Sequence, residues 1–377
     1  MSRFPTPAPH RYERRAQQRS QDDPDEVLAR LPVGTRDWRR VLAAIVRKHN
    51  SEHALLHKSV SFKTQHDRKA FLFAFTEEVR KHTQYRNFDP RQLGARHIEV
   101  MVKRWVDRGL STATIHNYLS FLRTFAGWLG KPGLVRSPEH YVGAESVHAH
   151  RVQVASEDQS WTSKGIDVAA KIEEIEAFDN WVGLQLRLCL EFGVRGREAR
   201  HFRPHGAIRT RAEAFARDAE LFPEVLEFVR FEHGTKGGRP RDVPLIAQSQ
   251  RDLLDECAKA VAPGSYVGYP GRTWLQNQGR FYYVLKKFGI CKAELGVVAH
   301  GLRHQAAHVA FEADAGHAAP VRGGTVGSDG DVLARQRTAL RLGHGRVQVV
   351  AAYIGSSRRA SIDPDAQDEA MDEEPAP

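Results

Sequence analysis

Three cysteines in 377 residues, spread at Cys189, Cys257 and Cys291, are too few and too far apart for a disulfide framework or paired CxxC zinc sites. They read as reduced, partly buried thiols. Long apolar runs are also missing: no stretch approaches the roughly 20 residues of a membrane span, so no membrane partner is expected. The N-terminal "MSRFPTPAPHRYERRAQQRS" is basic but has no apolar region, which excludes a secretory signal; Pro5, Pro7, Pro9 and Glu13 spoil the pattern of a transit peptide. The chain carries neither an H-E-x-x-H metalloprotease box nor a G-x-x-x-x-G-K-[ST] nucleotide loop, and no internal repeat. A cytoplasmic protein without a bound nucleotide is the expectation.

Positive charge is what the chain has in excess. Its net charge is +10, yet "ASIDPDAQDEAMDEEPAP" at the C-terminus holds seven acids and no base, so residues 1–359 carry +17. A body that basic suits a polyanion, nucleic acid above all; a solvated basic surface without a partner is the other reading. The acidic segment, 359–377, reads as a disordered tail.

Hydrophobic periodicity divides the rest. Residues 1–30 mix Pro, Gln, Arg and Asp without period and read as disordered. Residues 31–135 are helical throughout, most clearly in "STATIHNYLSFLRTFAGWLG", where Ser111 or Thr112 caps an apolar face of Ile115, Tyr118, Leu119, Leu122, Phe125, Ala126 and Leu129. "DRKAFLFAFTEEVRKH" and "ARHIEVMVKRWVDRGL" add two more amphipathic helices. Lys103, Arg104, Arg108, His116 and Arg123 fall on polar faces. They are candidates for DNA-phosphate contact; each alone also fits an ordinary surface charge. Gly, Pro and Ser break the pattern at 136–165, read as a linker. In 166–358, "VAAKIEEIEAF" and "NWVGLQLRLCLEFG" are helices, "EVLEFVRFE" and "RPRDVPLI" are strands joined by "HGTKGG", and helices resume to about Tyr353. A Gly-rich loop, "ADAGHAAPVRGGTVGSDGD", interrupts them. The fold class expected is mainly α with a small antiparallel β-sheet, α+β.

Several residues are of types that carry chemistry. In "HGLRHQAAH", His300, His304 and His308 are spaced four apart and stack on one helix face. A metal site is not expected there, because no Asp or Glu lies in the stripe and Arg303 would oppose a cation. His300 and Arg303, one turn apart, suit an anion such as phosphate; His304 and His308 also fit buried, hydrogen-bonded roles. A phosphate in transfer needs a second cation. "EFGVRGREARHF" puts Arg195 on a turn between helices, with Glu198 one turn on to orient a guanidinium. Lys236 sits at the hairpin tip, where a solvated lysine is equally natural. In "LGHGRVQVVAAYIGS", Tyr353 follows His344 by nine residues, which at about 100° per residue puts them on opposite faces of a continuous helix. If both serve one site the chain must break, and Gly345 is a plausible place. A core tyrosine is the plainer alternative.

Taken in order, these residues resemble the catalytic set of the tyrosine recombinase (phage integrase) family: Arg195 in "GVRGRE", Lys236 in "TKGGRPRDVPL", His300 and Arg303 in "HGLRH", His344 in "LGH", and Tyr353 as nucleophile. The resemblance covers roughly 166–360 and, more weakly, 65–130, which looks like the family's helical core-binding domain. It implies DNA cleavage through a 3′-phosphotyrosyl bond, with Arg195 and Arg303 on the phosphate, His300 as proton acceptor, Lys236 as proton donor to the 5′-oxygen, His344 on the phosphate and His304 as a brace. It further implies no cofactor or metal, double-stranded DNA recombination sites as partner, a homotetramer on DNA, and possible accessory directionality or DNA-bending proteins. A mobile-element integrase of the bacterial cytoplasm, associated with the nucleoid, is the implied role. A non-cutting DNA-binding regulator of the same fold and a type IB topoisomerase-like relaxing enzyme are the alternatives. Two stretches are longer than the family pattern: "HGAIRTRAEAFARDAELFP" and the Gly-rich loop at 313–331.

Overall fold

Two of the long helices in the N-terminal half start on serine caps. The Ser111 hydroxyl accepts from the Thr114 N–H at 3.3 Å and the Ser61 hydroxyl from the Thr64 N–H at 3.2 Å, satisfying donors that a first helical turn leaves orphaned. The computed structural model describes residues 23–51, 60–324 and 329–356, and the chain divides into two units, Met1–Arg151 and Val152–Pro377. The segment 1–22 and the acidic tail lie outside the described residues.

The first unit comprises α1 (Pro24–Arg30), α2 (Trp38–His49), α3 (Phe62–His82), α4 (Ala95–Asp107), α5 (Thr112–Trp128) and α6 (Pro138–Val142). Its core is built from one face of each long helix: Val41, Leu42 and Ile45; Leu72, Phe75 and Val79; Ile98, Met101 and Trp105; Ile115, Leu119 and Leu122. Each such burial contributes about 1.5–3 kcal/mol. Residues 24–30, expected to be disordered, form α1 instead. Asp23 caps it, accepting from Asp25 N–H at 2.7 Å, and Val27 is buried. A short capped helix needs only one apolar anchor when a neighbour supplies the rest, and composition alone hides that.

The segment 136–165, expected as a linker, falls in both units. Its first part carries α6 and belongs to the N-terminal unit. Trp161, fully buried, donates from Nε1 to the Val298 carbonyl at 2.8 Å within the second.

The second unit runs α7 (Val168–Phe178), α8 (Asn180–Phe192), α9 (Gly196–Arg200), β1 (Ile208–Thr210), α10 (Ala216–Glu220), β2 (Glu227–Phe231), β3 (Arg241–Pro244), α11 (Gln248–Ala260), α12 (Trp274–Lys287), α13 (His300–Ala315), α14 (Asp329–Arg341) and α15 (Ala351–Ile354). The antiparallel sheet has order β1-β2-β3, with Ile208 opposite Val229 and Phe231 opposite Arg241. The strand β1 and helix α10 lie in the stretch that looked extended. There Phe215 N–H bonds the Asp242 carboxylate and the Asp218 carboxylate accepts from Asp242 N–H, both at 2.8 Å, tying the extension to the hairpin. At the centre, α8 is buried along Leu184, Leu186, Leu188, Cys189 and Phe192. Helix α13 packs on both α8 and α14.

Helices α7 and α8 meet at Gly183, where a Cβ would stand 2.4 Å from Glu176 Cβ and 2.8 Å from its Cα. Helix propensity alone would have Gly183→Ala stabilise by about 1 kcal/mol. The clash with backbone reverses the sign, and we expect a loss of about 1–3 kcal/mol, read as a lower denaturant midpoint at unchanged slope. An increase would show that the two helices separate without cost.

Candidate active site

Helix α8 delivers the first component. It ends at Gly193 in the left-handed conformation (φ +60°), and two residues later Arg195 occupies the N-cap of α9. Glu198 bonds back to it, accepting from the Arg195 N–H at 2.7 Å and from its guanidinium at 3.1 Å. The Glu198 carboxylate is fully buried and has a second cation, Arg241, which donates from both terminal nitrogens at 3.0 and 2.8 Å. Burial alone would raise this carboxyl, but the charge and hydrogen bonds of Arg241, then Arg195 and Arg303, hold it well below the usual carboxylate range.

The histidine stripe of α13 turns toward a phenol rather than toward a metal. The rings of His304, His344 and His300 lie 4.8, 5.4 and 5.7 Å, centroid to centroid, from the Tyr353 ring. His308 bonds the Tyr353 backbone carbonyl through Nε2 at 2.9 Å, and its Nδ1 lies 3.5 Å from Asp158. Arg303, with no exposed surface, donates from Nε to the Tyr353 hydroxyl at 3.1 Å. Its terminal nitrogens reach the Gly193 and Leu342 carbonyls, each at 2.5 Å, and His344 Nε2 at 3.1 Å. The guanidinium also stands over the Tyr353 ring, 5.2 Å from its centroid.

The chain breaks between His344 and Tyr353: residues 344–346, with a bend at Gly345, lie outside any helix before the turn Val347–Val350 leads into α15. Gly343 carries the positive φ, +71°, and His344 N–H closes back on the Ala339 carbonyl at 2.8 Å. A side chain at 343 would meet the Arg241 guanidinium at 2.7–2.9 Å, so glycine is required there for space as well as for conformation. Lys236 is half-buried in the turn between β2 and β3. Its charge is among those bearing on His344. Arg195, His300, Arg303, His344 and Tyr353 thus converge on one site, with Glu198 and His304 beside them and Lys236 near enough for its charge to bear on His344.

Burial and the crowd of cations set the protonation states. Burial first, then Arg303, His304 and Arg195, depresses His300 well below its ordinary value. His344 is depressed by burial and then by Arg303, Arg195, Arg241 and Lys236. His304 is lowered to about 4 by burial, His308 and Arg303, and Arg303 to about 10 by burial and Arg195. The three imidazoles are neutral at neutral pH, and His344 Nε2, facing a donor that is always protonated, accepts.

The bases proposed for DNA on the N-terminal unit have more varied positions. Lys103 is exposed. Arg104 and Arg108 share Glu78, at 2.7 and 2.8 Å. His116 bonds the His148 carbonyl at 2.9 Å, and Arg123 donates to the Arg136 carbonyl at 2.9 Å. These two hold the 136–148 segment against α5 rather than standing in solvent, and burial lowers the pKa of both.

Sequence reasoning assigned no role to Arg241, and Asp158 fell in the supposed linker. Arg241 did leave a signal: it shares the parity of Val243 and Leu245 in an alternating strand, and all three are buried. An arginine on the apolar side of a strand implies a buried partner. Asp158 left none, because its contact with His308 spans a sequence gap that no local pattern bridges.

The depressed histidines make stability depend on pH. Below pH 6.5 the unfolded chain binds protons at His300 and His304 that the fold refuses, so stability is lost as pH falls from 6.5 toward 4. For His304 alone this amounts to about 2 kcal/mol between pH 7 and pH 5. Urea unfolding at those two values should show it, with a shallower dependence in His304→Phe. Equal stability at both values would contradict the burial of these rings.

Comparison with known proteins then bears on both units. Residues 50–135 match the family model for the N-terminal domain of phage integrases. No curated protein matches the chain. Among solved structures, a lambda integrase dimer bound to a COC′ core site aligns with a TM-score of 0.50 at 13% identity, covering 86% of this chain and 80% of that one. The lambda integrase(75-356) dimer on the same site aligns with a TM-score of 0.51 at 13% identity, covering 85% and 97%. Residues 50–135 are thus similar to the N-terminal domain of phage integrases, and the chain shares the fold of lambda integrase.

Proposed function

We propose that the protein is a site-specific DNA recombinase that cleaves and rejoins DNA through Tyr353. The observation that carries this reading is the Arg303 Nε–H on the Tyr353 hydroxyl at 3.1 Å, inside a ring of three neutral histidines. A phenol with ordinary pKa near 10 is roughly a thousandth ionised at neutral pH. The guanidinium orients the phenol oxygen, and a neutral imidazole beside it can take the proton as that oxygen attacks.

In the reaction, the Tyr353 oxygen bonds to the scissile phosphorus as the bond from phosphorus to the 5′-oxygen breaks. His300 accepts the phenol proton and Lys236 gives one to the departing 5′-oxygen, leaving a 3′-phosphotyrosyl bond and a 5′-hydroxyl. Arg195, with an 18% exposed side chain, meets the non-bridging oxygens first. Arg303 moves from stabilising the phenol oxygen to stabilising the pentacoordinate phosphorus, and His344 follows it. A docked phosphate also offsets the Arg303 and Arg195 charges that weaken His300 as a base, so basicity rises when substrate arrives. Religation reverses each transfer, so the covalent bond conserves the energy and the chemistry calls for no cofactor.

The partner in this reading is a double-stranded recombination site, in line with the basic body and with lambda integrase, whose structures hold core-site DNA. Lys103, Arg104 and Arg108 on α4 are the proposed phosphate contacts of the N-terminal unit. Exchange between two duplexes cuts four strands with one tyrosine per chain, hence a homotetramer on DNA. Integration of a mobile element in a bacterial nucleoid, helped by directionality or DNA-bending proteins, is the biological setting we favour.

Covalent trapping tests the reading. Purified protein in EDTA, incubated with nicked duplexes tiled across the DNA flanking its gene, should form an adduct stable on denaturing gels. Tyr353→Phe should bind the same duplex and form none. Lys236→Ala should slow adduct formation roughly 10²–10⁴-fold. An adduct persisting in Tyr353→Phe would refute the nucleophile, and tight binding without an adduct would favour a non-cutting regulator.

A further inference from the structure

Arg241 is the more buried of the two arginines that hold Glu198. Its side chain is 4% exposed against 18% for Arg195, yet it makes the stronger claim on Glu198. The carboxylate accepts four hydrogen bonds. Arg241 supplies two, while the Arg195 guanidinium supplies one and the Arg195 backbone the other. One buried anion is thereby shared between two cations, with the fork-on-fork geometry given to the less exposed of the two.

Three chain segments meet at this arginine. It stands on β3, five residues beyond Lys236. Its Nε donates to the Arg341 carbonyl at 3.2 Å, at the end of α14, and the bare backbone of Gly343 lies against its guanidinium just before His344. Glu198 joins it to the helix that begins at Arg195. At the far side of the hairpin turn, a Cβ on Gly234 would lie 2.9 Å from the Arg197 carbonyl, so that end is seated on α9 as well. The turn holding Lys236 is therefore braced on both sides by the Arg195 segment.

We propose that Arg241 is a positioning residue that takes up the Glu198 carboxylate, leaving Arg195 its charge and donors for the scissile phosphate while seating the lysine hairpin. This rests on the reading of Tyr353 as nucleophile. Without Arg241, a buried carboxylate with two vacated acceptor sites keeps Arg195 as its hydrogen-bond partner, with Arg303 acting through charge alone. The Arg195 guanidinium would be drawn into that pair and away from substrate. Removing the carboxylate's charge as well should release it.

The test measures single-turnover adduct formation on the duplex that traps the wild type, made either with its scissile phosphodiester or with an uncharged methylphosphonate at that position. Arg241→Gln should slow the phosphodiester reaction roughly 100-fold, as for loss of one transition-state donor, with DNA affinity within about threefold. The defect should shrink at least tenfold on the methylphosphonate, which presents less charge for Arg195 to hold. Adding Glu198→Gln to Arg241→Gln should recover at least tenfold on the phosphodiester. Arg241→Lys, which keeps the charge and loses the fork, should fall between, and carries the same comparison should Arg241→Gln fail to fold. A wild-type rate in Arg241→Gln, or equal slowing on both substrates with no recovery from Glu198→Gln, would overturn the proposal. Absence of any adduct from the wild type would instead remove the reading of Tyr353, and this inference with it.

Discussion

The second unit is organised around one buried charge. Arg303 has no exposed surface and stands over the Tyr353 ring. Burying a guanidinium costs several kcal/mol unless its donors are satisfied, and four different places satisfy them: the carbonyl that ends α8, the carbonyl of Leu342 just after α14, His344 Nε2 and the Tyr353 hydroxyl. Each of those segments must arrive in register or the charge is left unpaired. The same requirement explains why glycines sit at 193 and 343, where the chain must reverse without a side chain in the way.

Electrostatically the site is unbalanced by design of its packing. Arg195, Arg241 and Arg303 gather around one buried carboxylate, Glu198, and the charge of Lys236 bears on His344. The excess is relieved by keeping His300, His304 and His344 neutral, at the expense of stability in acid. In the proposed reaction an incoming phosphate completes the balance, so affinity for an anion and basicity of His300 would be two consequences of one arrangement.

Much of this was legible from the chain, and the exceptions have physical causes. The helices at 168–178 and 180–192 follow from apolar period and the closing Gly193, and the hairpin from two alternating runs around a Gly-rich turn. The order Arg195, Lys236, His300, Arg303, His344, Tyr353 was readable because each residue type is conspicuous in its local context. What was not readable depends on contacts distant in sequence. Helix α1 draws its stability from neighbours, and β1 is three residues long, too short for a period to show. His116 and Arg123 looked like solvated bases on α5, yet the carbonyls of His148 and Arg136 claim them. The break between His344 and Tyr353, with its bend at Gly345, was required by geometry, whereas the need for glycine at 343 follows from the bulk of Arg241, which a local reading does not see.

The account's central claim is that the Tyr353 oxygen, held by Arg303, becomes bonded to DNA phosphorus. Mapping the bond itself tests this most directly: the trapped adduct is digested with protease and nuclease, the modified peptide is sequenced by mass spectrometry, and the released strand end is typed by its phosphorylation. The account predicts a nucleotide remnant on Tyr353 and a 5′-hydroxyl on the released strand. A remnant on any other residue, or a 5′-phosphate on the released end, would contradict it.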